Sequence, residues 1–269
     1  MYPSPLAVSS RKLTDNIVLS VTGFKRMGRV NFGARMALFR LQDSVVVWSA
    51  IPFSDDVNKA LELLTGQAAG FNVTHLIVPD SEHTMAAASF KQEFPRMKII
   101  AMEGVQLGKG VSPDYVVTSK YGNKKIDAET LREIGVQEPQ ILDNFEFVYL
   151  PSHGNKELVA YHKESKAVFE ADMLFNLRTD VPMEQFSPAT GFPENYYPFS
   201  GMSFLAKFLN ADSKTGRFLF RKMVNTKASA EGLQAINAWD FDTLVMCHGN
   251  VIEKGGKAAF QKVFSSVLN

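Results

Sequence analysis

Two hydrophobic rhythms alternate along the chain, short β-branched runs and longer stretches with apolar residues at helical spacing. Residues 16–21 (NIVLSV), 35–41 (RMALFRL) and 44–49 (SVVVWS) read as strands, with Gln42-Asp43 as a two-residue hairpin turn. After Ile51-Pro52-Phe53, Ser54 is the expected helix cap, and Asp55 and Asp56 set carboxylates in the first turn, where the helix dipole favours anions. Val57, Leu61 and Leu64 carry the apolar face on to Gly66, a usual helix stop. The run Leu76-Ile77-Val78 predicts a buried strand, followed by a helix from Thr84 to about Phe94 and a strand over residues 98–101. Strand, helix and strand at this spacing argue for a layered α/β sheet.

Further on, residues 115–117 form a candidate strand, and residues 127–134 a short helix ended by Gly135. Residues 145–150 (FEFVYL), 158–162 (LVAYH) and 167–171 (AVFEA) predict a meander, and residues 243–247 (TLVMC) a last strand before a helix over 256–267. Between them, residues 173–241 read as helix and loop. They hold the aromatic cluster of Phe192, Tyr196, Tyr197, Phe199, Phe204 and Phe208, which serves either packing and subunit contact or the wall of an apolar pocket. One domain over residues 1–269, with a helical, aromatic insertion at about 176–240, is the expected organisation.

The chemistry concentrates where strands end. Residues 74–88 (THLIVPDSEHTMAAA) run from a strand through Asp80, Glu82 and His83 into a helix, the place where an α/β sheet builds a site. The second strand end is Pro-Ser-His153-Gly, the third is Asp172, and the fourth is His248-Gly. Glycine after two of these histidines lets the backbone turn sharply. Carboxylates and imidazoles converging from several strands suit a borderline divalent metal. His75, at the start of its strand, and His162, before a charged turn, read as incidental. Alternation along the last strand turns Cys247 to the core if His248 faces the site.

Composition narrows the partners. The chain has 29 basic and 28 acidic residues, a net charge of +1, and so no electrostatic footprint for nucleic acid. No apolar run reaches the roughly 18 residues of a membrane span, and the first residues lack the apolar core of a signal peptide. A lone cysteine excludes an internal disulfide. A cytoplasmic protein acting on a small molecule is expected, without membrane or nucleic-acid partners and with homo-oligomerisation left open.

These motifs resemble the metallo-β-lactamase superfamily. Pro-Ser-His153-Gly-Asn, Glu-Ala-Asp172-Met-Leu-Phe and Cys-His248-Gly match its last three ligand turns. VVVWSAIPF followed by IVPDSEH is similar to an uncharacterised branch with a Trp-x-Ser-Pro-like turn and a Pro-Asn-x-x-His motif. The resemblance implies an αββα sandwich, two mixed β-sheets packed face to face with helices outside. It also implies a metal-dependent hydrolase. The His-x-His-x-Asp-His motif is degenerate here, with Val78 and Asp80 in place of the first two histidines and Glu82 in place of the aspartate. The implied metal set is Glu82, His83, Asp172 and His248, holding one divalent ion rather than two, either zinc or, given the added carboxylates, iron or manganese. Asp80 and His153 are the implied catalytic pair, Asp80 orienting water or acting as base and His153 ligating or stabilising an oxyanion. A small ester, lactone or thioester is the expected substrate. A non-catalytic binding protein on the degenerate fold and a mononuclear iron oxidoreductase are the alternatives.

Overall fold

The computed structural model describes residues 1–108 and 110–268. The first half builds a seven-stranded sheet. Its strands are β1 (Ser9–Thr14), β2 (Ile17–Thr22), and, after a small hairpin of β3 (Lys25–Arg26) and β4 (Val30–Asn31), β5 (Ala34–Leu41) and β6 (Ser44–Trp48). Helix α1 (Asp55–Thr65) leads to β7 (Val73–Ile77), and α2 (Ala87–Glu93) leads to β8 (Lys98–Met102) and β9 (Tyr115–Val117). The order is β1-β2-β5-β6-β7-β8-β9, antiparallel as far as β6 and parallel beyond it.

The second half builds a five-stranded sheet from β10 (Lys125–Ile126) and, after helices α3 (Ala128–Ile134) and α4 (Pro139–Leu142), from β11 (Phe145–Leu150), β12 (Glu157–His162) and β13 (Ala167–Glu170). Helices α5 (Lys214–Val224) and α6 (Ala230–Ala238) precede β14 (Thr243–Met246), which lies parallel to β13, and α7 (Gly256–Phe264) follows.

Alternation along the second sheet shows the layering. Phe145, Phe147, Leu158, Ala160, Phe169 and Val245 enter the core between the sheets, while Val148, Val159, Val168 and Leu244 enter a second core beneath the outer helices. A period of two on a sheet buried on both faces has this consequence. Phe39 meets Phe145 and Phe169 at ring-centroid distances of 5.1 and 4.9 Å, and Trp48 meets Phe169 at 5.6 Å, so aromatic edges join the two sheets. This is the αββα sandwich.

Local expectations differ from the structure in a few places. The expected hairpin at Gln42-Asp43 pairs Leu41 with Ser44, and Gln42 takes a positive φ of 57°. At the start of α1, Ser54 holds the cap position in an extended conformation, but its side chain accepts no helix N–H. Asp56 instead accepts from the Val8 amide at 3.1 Å, which fastens α1 to the segment entering β1. Strand β1 was not anticipated, because SSRKLT has little apolar content. It is an edge strand whose residues are only partly buried. Helix α2 starts at Ala87 rather than Thr84, since residues 83–86 form turns tied to the site. The aromatic stretch follows a single 3-10 turn at Pro188–Thr190 and ends in a longer 3-10 helix, Gly201–Phe208. No described helix is long and apolar enough to cross a membrane.

Candidate metal centre

The loops after β7, β11, β13 and β14 meet at one edge of the sandwich. The loop after β7 and the turn after β11 are stitched together by Ser81 N–H to Asn155 O at 2.9 Å and Leu158 N–H to Pro79 O at 2.7 Å. Asp80 is fully buried, and its Oδ1 accepts from the amides of Glu82 and His83, both at 2.8 Å, and from His83 Nδ1 at 2.9 Å. One carboxylate therefore shapes the turn and fixes the imidazole ring through Nδ1, with the Cys247 thiol as a further neighbour of the ring. Burial opposes the charged form of His83, but the facing Asp80 carboxylate outweighs it and raises the His83 pKa well above its ordinary value.

His248 is oriented by a different partner. Its Nδ1 lies 2.8 Å from the Gly33 carbonyl oxygen, which only accepts, so Nδ1 carries the proton. Its ring is packed among Phe32, Phe175 and Phe24, with centroids at 5.3, 4.8 and 6.5 Å. The following Gly249 has a φ of 94°, and a Cβ there would lie 2.2 Å from the Asn176 carbonyl oxygen, so this turn admits only glycine. Gly154, after His153, has no such positive φ; its amide donates to Met223 O at 2.8 Å.

Asp172 completes the group. One ligand atom from each of His83, Asp172 and His248 lies within 4.8 Å of the others. Ligand atoms held at about 2.0–2.2 Å from one ion stand at most roughly 4.4 Å apart, so a closure of a few tenths of an ångström would seat a metal. The donor set fits a divalent cation. Asp172 Oδ1 is buried without a hydrogen-bond donor, and His248 Nε2 faces it at 3.1 Å. With Nδ1 protonated, a neutral His248 turns a lone pair toward that oxygen, and two acceptors so close call for a cation or a proton between them. Burial works to raise the Asp172 pKa, but a hydrogen bond from a His248 that carries the proton on Nε2, together with the nearby His83, prevails and holds it below the usual carboxylate range.

The other expected site residues lie elsewhere. Glu82 is half exposed and pairs with Arg26 at 3.5 Å, so it does not join the three converging ligands. Its extra methylene and the Asp80-capped turn aim its carboxylate outward. His153 is buried beside Asp172 and Asp80 but is not one of the three converging ligands. Its Nδ1 accepts from the Asn155 amide at 3.1 Å, and its Nε2 lies 3.4 Å from Glu157. Burial lowers its pKa, consistent with a neutral ring. Val78 is buried in the core between the sheets. Cys247 follows the end of β14, so strand alternation does not set its direction; it packs in that core with Sγ 3.1 Å from Ser49 Oγ and also neighbours the His83 ring.

Three residues that the sequence reading passed over support the ligands. Asn155 donates to Asp172 Oδ2 at 2.5 Å and reaches Asp80 Oδ2 at 3.5 Å, bridging the two carboxylates. Glu157, fully buried, accepts from the amides of Ala171 and Asp172 at 2.7 and 3.1 Å, and Glu170 accepts from Leu174 at 3.1 Å. Burial, followed for Glu157 by the nearby carboxylates, raises the pKa of both glutamates well above the ordinary value. A signal for them existed, since each is a charged residue set inside or against an apolar strand (ELVAYH and AVFE), where burial demands a partner.

Two cavities of about 510 and 500 Å³ open beside the ligands. The first is walled by Tyr2, Phe24, Met27 and Met85 with Glu82, His83 and His248, the second by Phe32, Phe175, Leu219 and Lys222 with Asp172 and His248. Arg26 lines both.

The architecture matches solved metallo-β-lactamases along nearly the whole chain. The DIM-1 metallo-β-lactamase superposes with a TM-score of 0.58 at 13% identity, covering 98% of this chain and 97% of its own. A metallo-β-lactamase from Pontibacter korlensis gives 0.57 at 9% identity, covering 97% and 99%. VMB-1 gives 0.55 at 11% identity, covering 98% and 99%. The chain therefore has the metallo-β-lactamase fold. No family model and no curated protein matches the sequence.

Proposed function

We propose that the protein is a metal-dependent hydrolase in which His83, Asp172 and His248 hold a single divalent ion, acting on a small, partly apolar ester, lactone or thioester. The observation that carries this reading is the convergence of the three side chains, with each imidazole held in place through its Nδ1. A bound divalent ion lowers the pKa of water and polarises a carbonyl oxygen. Around it the chain's own groups have distinct tasks. Asp80 orients His83, and Asn155 holds Asp172 Oδ2. Glu82 and Arg26 line the same cavity as His83 and His248, so their ion pair borders the space a substrate would enter. Phe24, Phe32 and Phe175 flank His248 and keep bulk water from its ring. The apolar cavity walls favour a substrate with a hydrocarbon part.

Two imidazoles and one carboxylate are also the ligand set of mononuclear iron oxygenases, so iron-dependent oxidation is the second reading. A non-catalytic binding role is favoured by the loss of Val78 and Glu82 from the ligand set. The test is a panel of esters, lactones and thioesters given to protein loaded separately with zinc, manganese and iron. Turnover lost in both His83→Ala and His248→Ala supports the hydrolase. Oxygen uptake by the iron form alone would replace it with the oxidoreductase. Full metal loading without any turnover would leave a binding protein.

A further inference from the structure

The charge of the chain is unevenly placed. Residues 200–227 carry six basic side chains (Lys207, Lys214, Arg217, Arg221, Lys222 and Lys227) and one acid, Asp212, a net of +5 in a chain whose total is +1, which leaves −4 for the remainder. The same stretch exposes Met202, Phe204, Leu205 and Phe208 from the 3-10 helix Gly201–Phe208, and Phe218 and Leu219 from α5. Exposure runs from 37% at Phe208 to 70% at Leu205. The two elements adjoin, since a Cβ on Gly216 would lie 2.4 Å from the Phe208 carbonyl oxygen. Lysines lie over the exposed rings, Lys207 Nζ 3.7 Å from the Phe204 centroid and Lys222 Nζ 5.2 Å from that of Phe218. Leu219 and Lys222 also line the cavity that reaches Asp172 and His248, so this face adjoins the mouth of the site.

Scattered apolar residues on a surface are ordinary, but a set concentrated in two adjoining elements and ringed with cations marks an interaction surface. We propose that this face docks onto an anionic lipid bilayer, with Leu205, Phe204 and Phe218 entering the headgroup layer and the surrounding lysines meeting lipid phosphates and carboxylates. A second copy of the chain is a poorer occupant, because a twofold contact would set Lys207 and Lys222 of one copy against those of the other. Nucleic acid would satisfy the charge and stack on the rings, but it offers no hydrocarbon to the aliphatic Met202 and Leu205. A bilayer satisfies both, as basic, apolar-faced helices at membrane surfaces do. The sequence expectation of no membrane partner rested on the lack of a membrane-spanning apolar run, which does not bear on docking at a bilayer surface.

The test is sedimentation of metal-free protein with vesicles of phosphatidylcholine alone and of phosphatidylcholine mixed with phosphatidylserine. Metal-free protein keeps the result independent of the hydrolase reading. The expected result is pelleting with the mixed vesicles, weakened by salt, and none with phosphatidylcholine alone. Lys207→Glu is expected to weaken binding about tenfold. The Leu205→Asp/Phe218→Asp double variant, at two exposed positions and therefore expected to keep the wild-type melting temperature, is expected to abolish it. Failure of the wild type to bind mixed vesicles, or binding unchanged in the double variant, overturns the proposal. A dimer in sedimentation equilibrium that the double variant dissociates, without vesicle binding, assigns the face to a second copy. Binding of single-stranded nucleic acid without vesicle binding assigns it there.

Discussion

Asp80 is the residue at which the fold and the metal site can be tested separately. Its Oδ1 is spent on three donors, the amides of Glu82 and His83 and His83 Nδ1. Replacing it by alanine removes all three acceptor contacts at a fully buried position. At roughly 1–1.5 kcal/mol per bond, the loss is about 3–4 kcal/mol. For a chain of this size that corresponds to a fall in melting temperature of about 10 °C. Asp80→Asn is different, because the amide oxygen still accepts from the two backbone groups while the negative charge behind His83 is lost. The expected cost of that change is about 10–100-fold in metal affinity with little loss of stability, since the carboxylate no longer orients the imidazole or raises its basicity. Thermal melts of the metal-free proteins and competition titration with a zinc chelator measure the two quantities. Wild-type zinc affinity in Asp80→Asn would refute the reasoning, because Asp80 would then not act through His83. A melting temperature unchanged in Asp80→Ala would show that the turn does not depend on those three bonds.

Glu82→Gln is expected to leave metal content unchanged, because its carboxylate faces Arg26 and solvent, and elemental analysis checks this directly. Gly249→Ala is expected to cost several kcal/mol or prevent folding, since both the φ of 94° and the 2.2 Å approach of the Asn176 oxygen exclude a side chain; expression level and thermal melts report it. His162 lies buried between Phe39 and Phe145, and burial lowers its pKa to about 4. In the unfolded chain it takes a proton near its ordinary 6.5, well before the folded protein does, so acid favours unfolding. Its contribution to acid sensitivity is about 2.5 kcal/mol between about pH 7.5 and about pH 4.5. His162→Phe should reduce the stability difference between those two conditions by that amount in urea melts.

The fold was legible because its signals are periodic. The strands after residue 144 alternate between two cores, and Gly66 and Gly135 end helices with left-handed caps where the sequence places stops. Strand β1 was not legible, since an edge strand of half-buried polar residues carries little hydrophobic pattern. In the site, Asp172 and His248 could be found because each directly follows an apolar strand, and His83 because it closes the motif after β7. The different orientations of Asp80 and Glu82 could not be read. Two carboxylates two residues apart in one turn look alike in sequence, and only the donors gathered on Asp80 and the cation beside Glu82 decide which turns inward. Glu157 and Glu170 were hidden for a related reason, since their partners are backbone amides of the ligand-bearing turn, which leave no trace in residue identity.

The central claim is a single metal ion held by His83, Asp172 and His248. The most direct measurement is metal content per chain by elemental analysis, on protein purified without chelator or histidine tag, for the wild type and His248→Ala. About one equivalent in the wild type, lost in the variant, is the predicted result. No metal in the wild type after reconstitution with zinc, manganese and iron, or an equal content in His248→Ala, would contradict it.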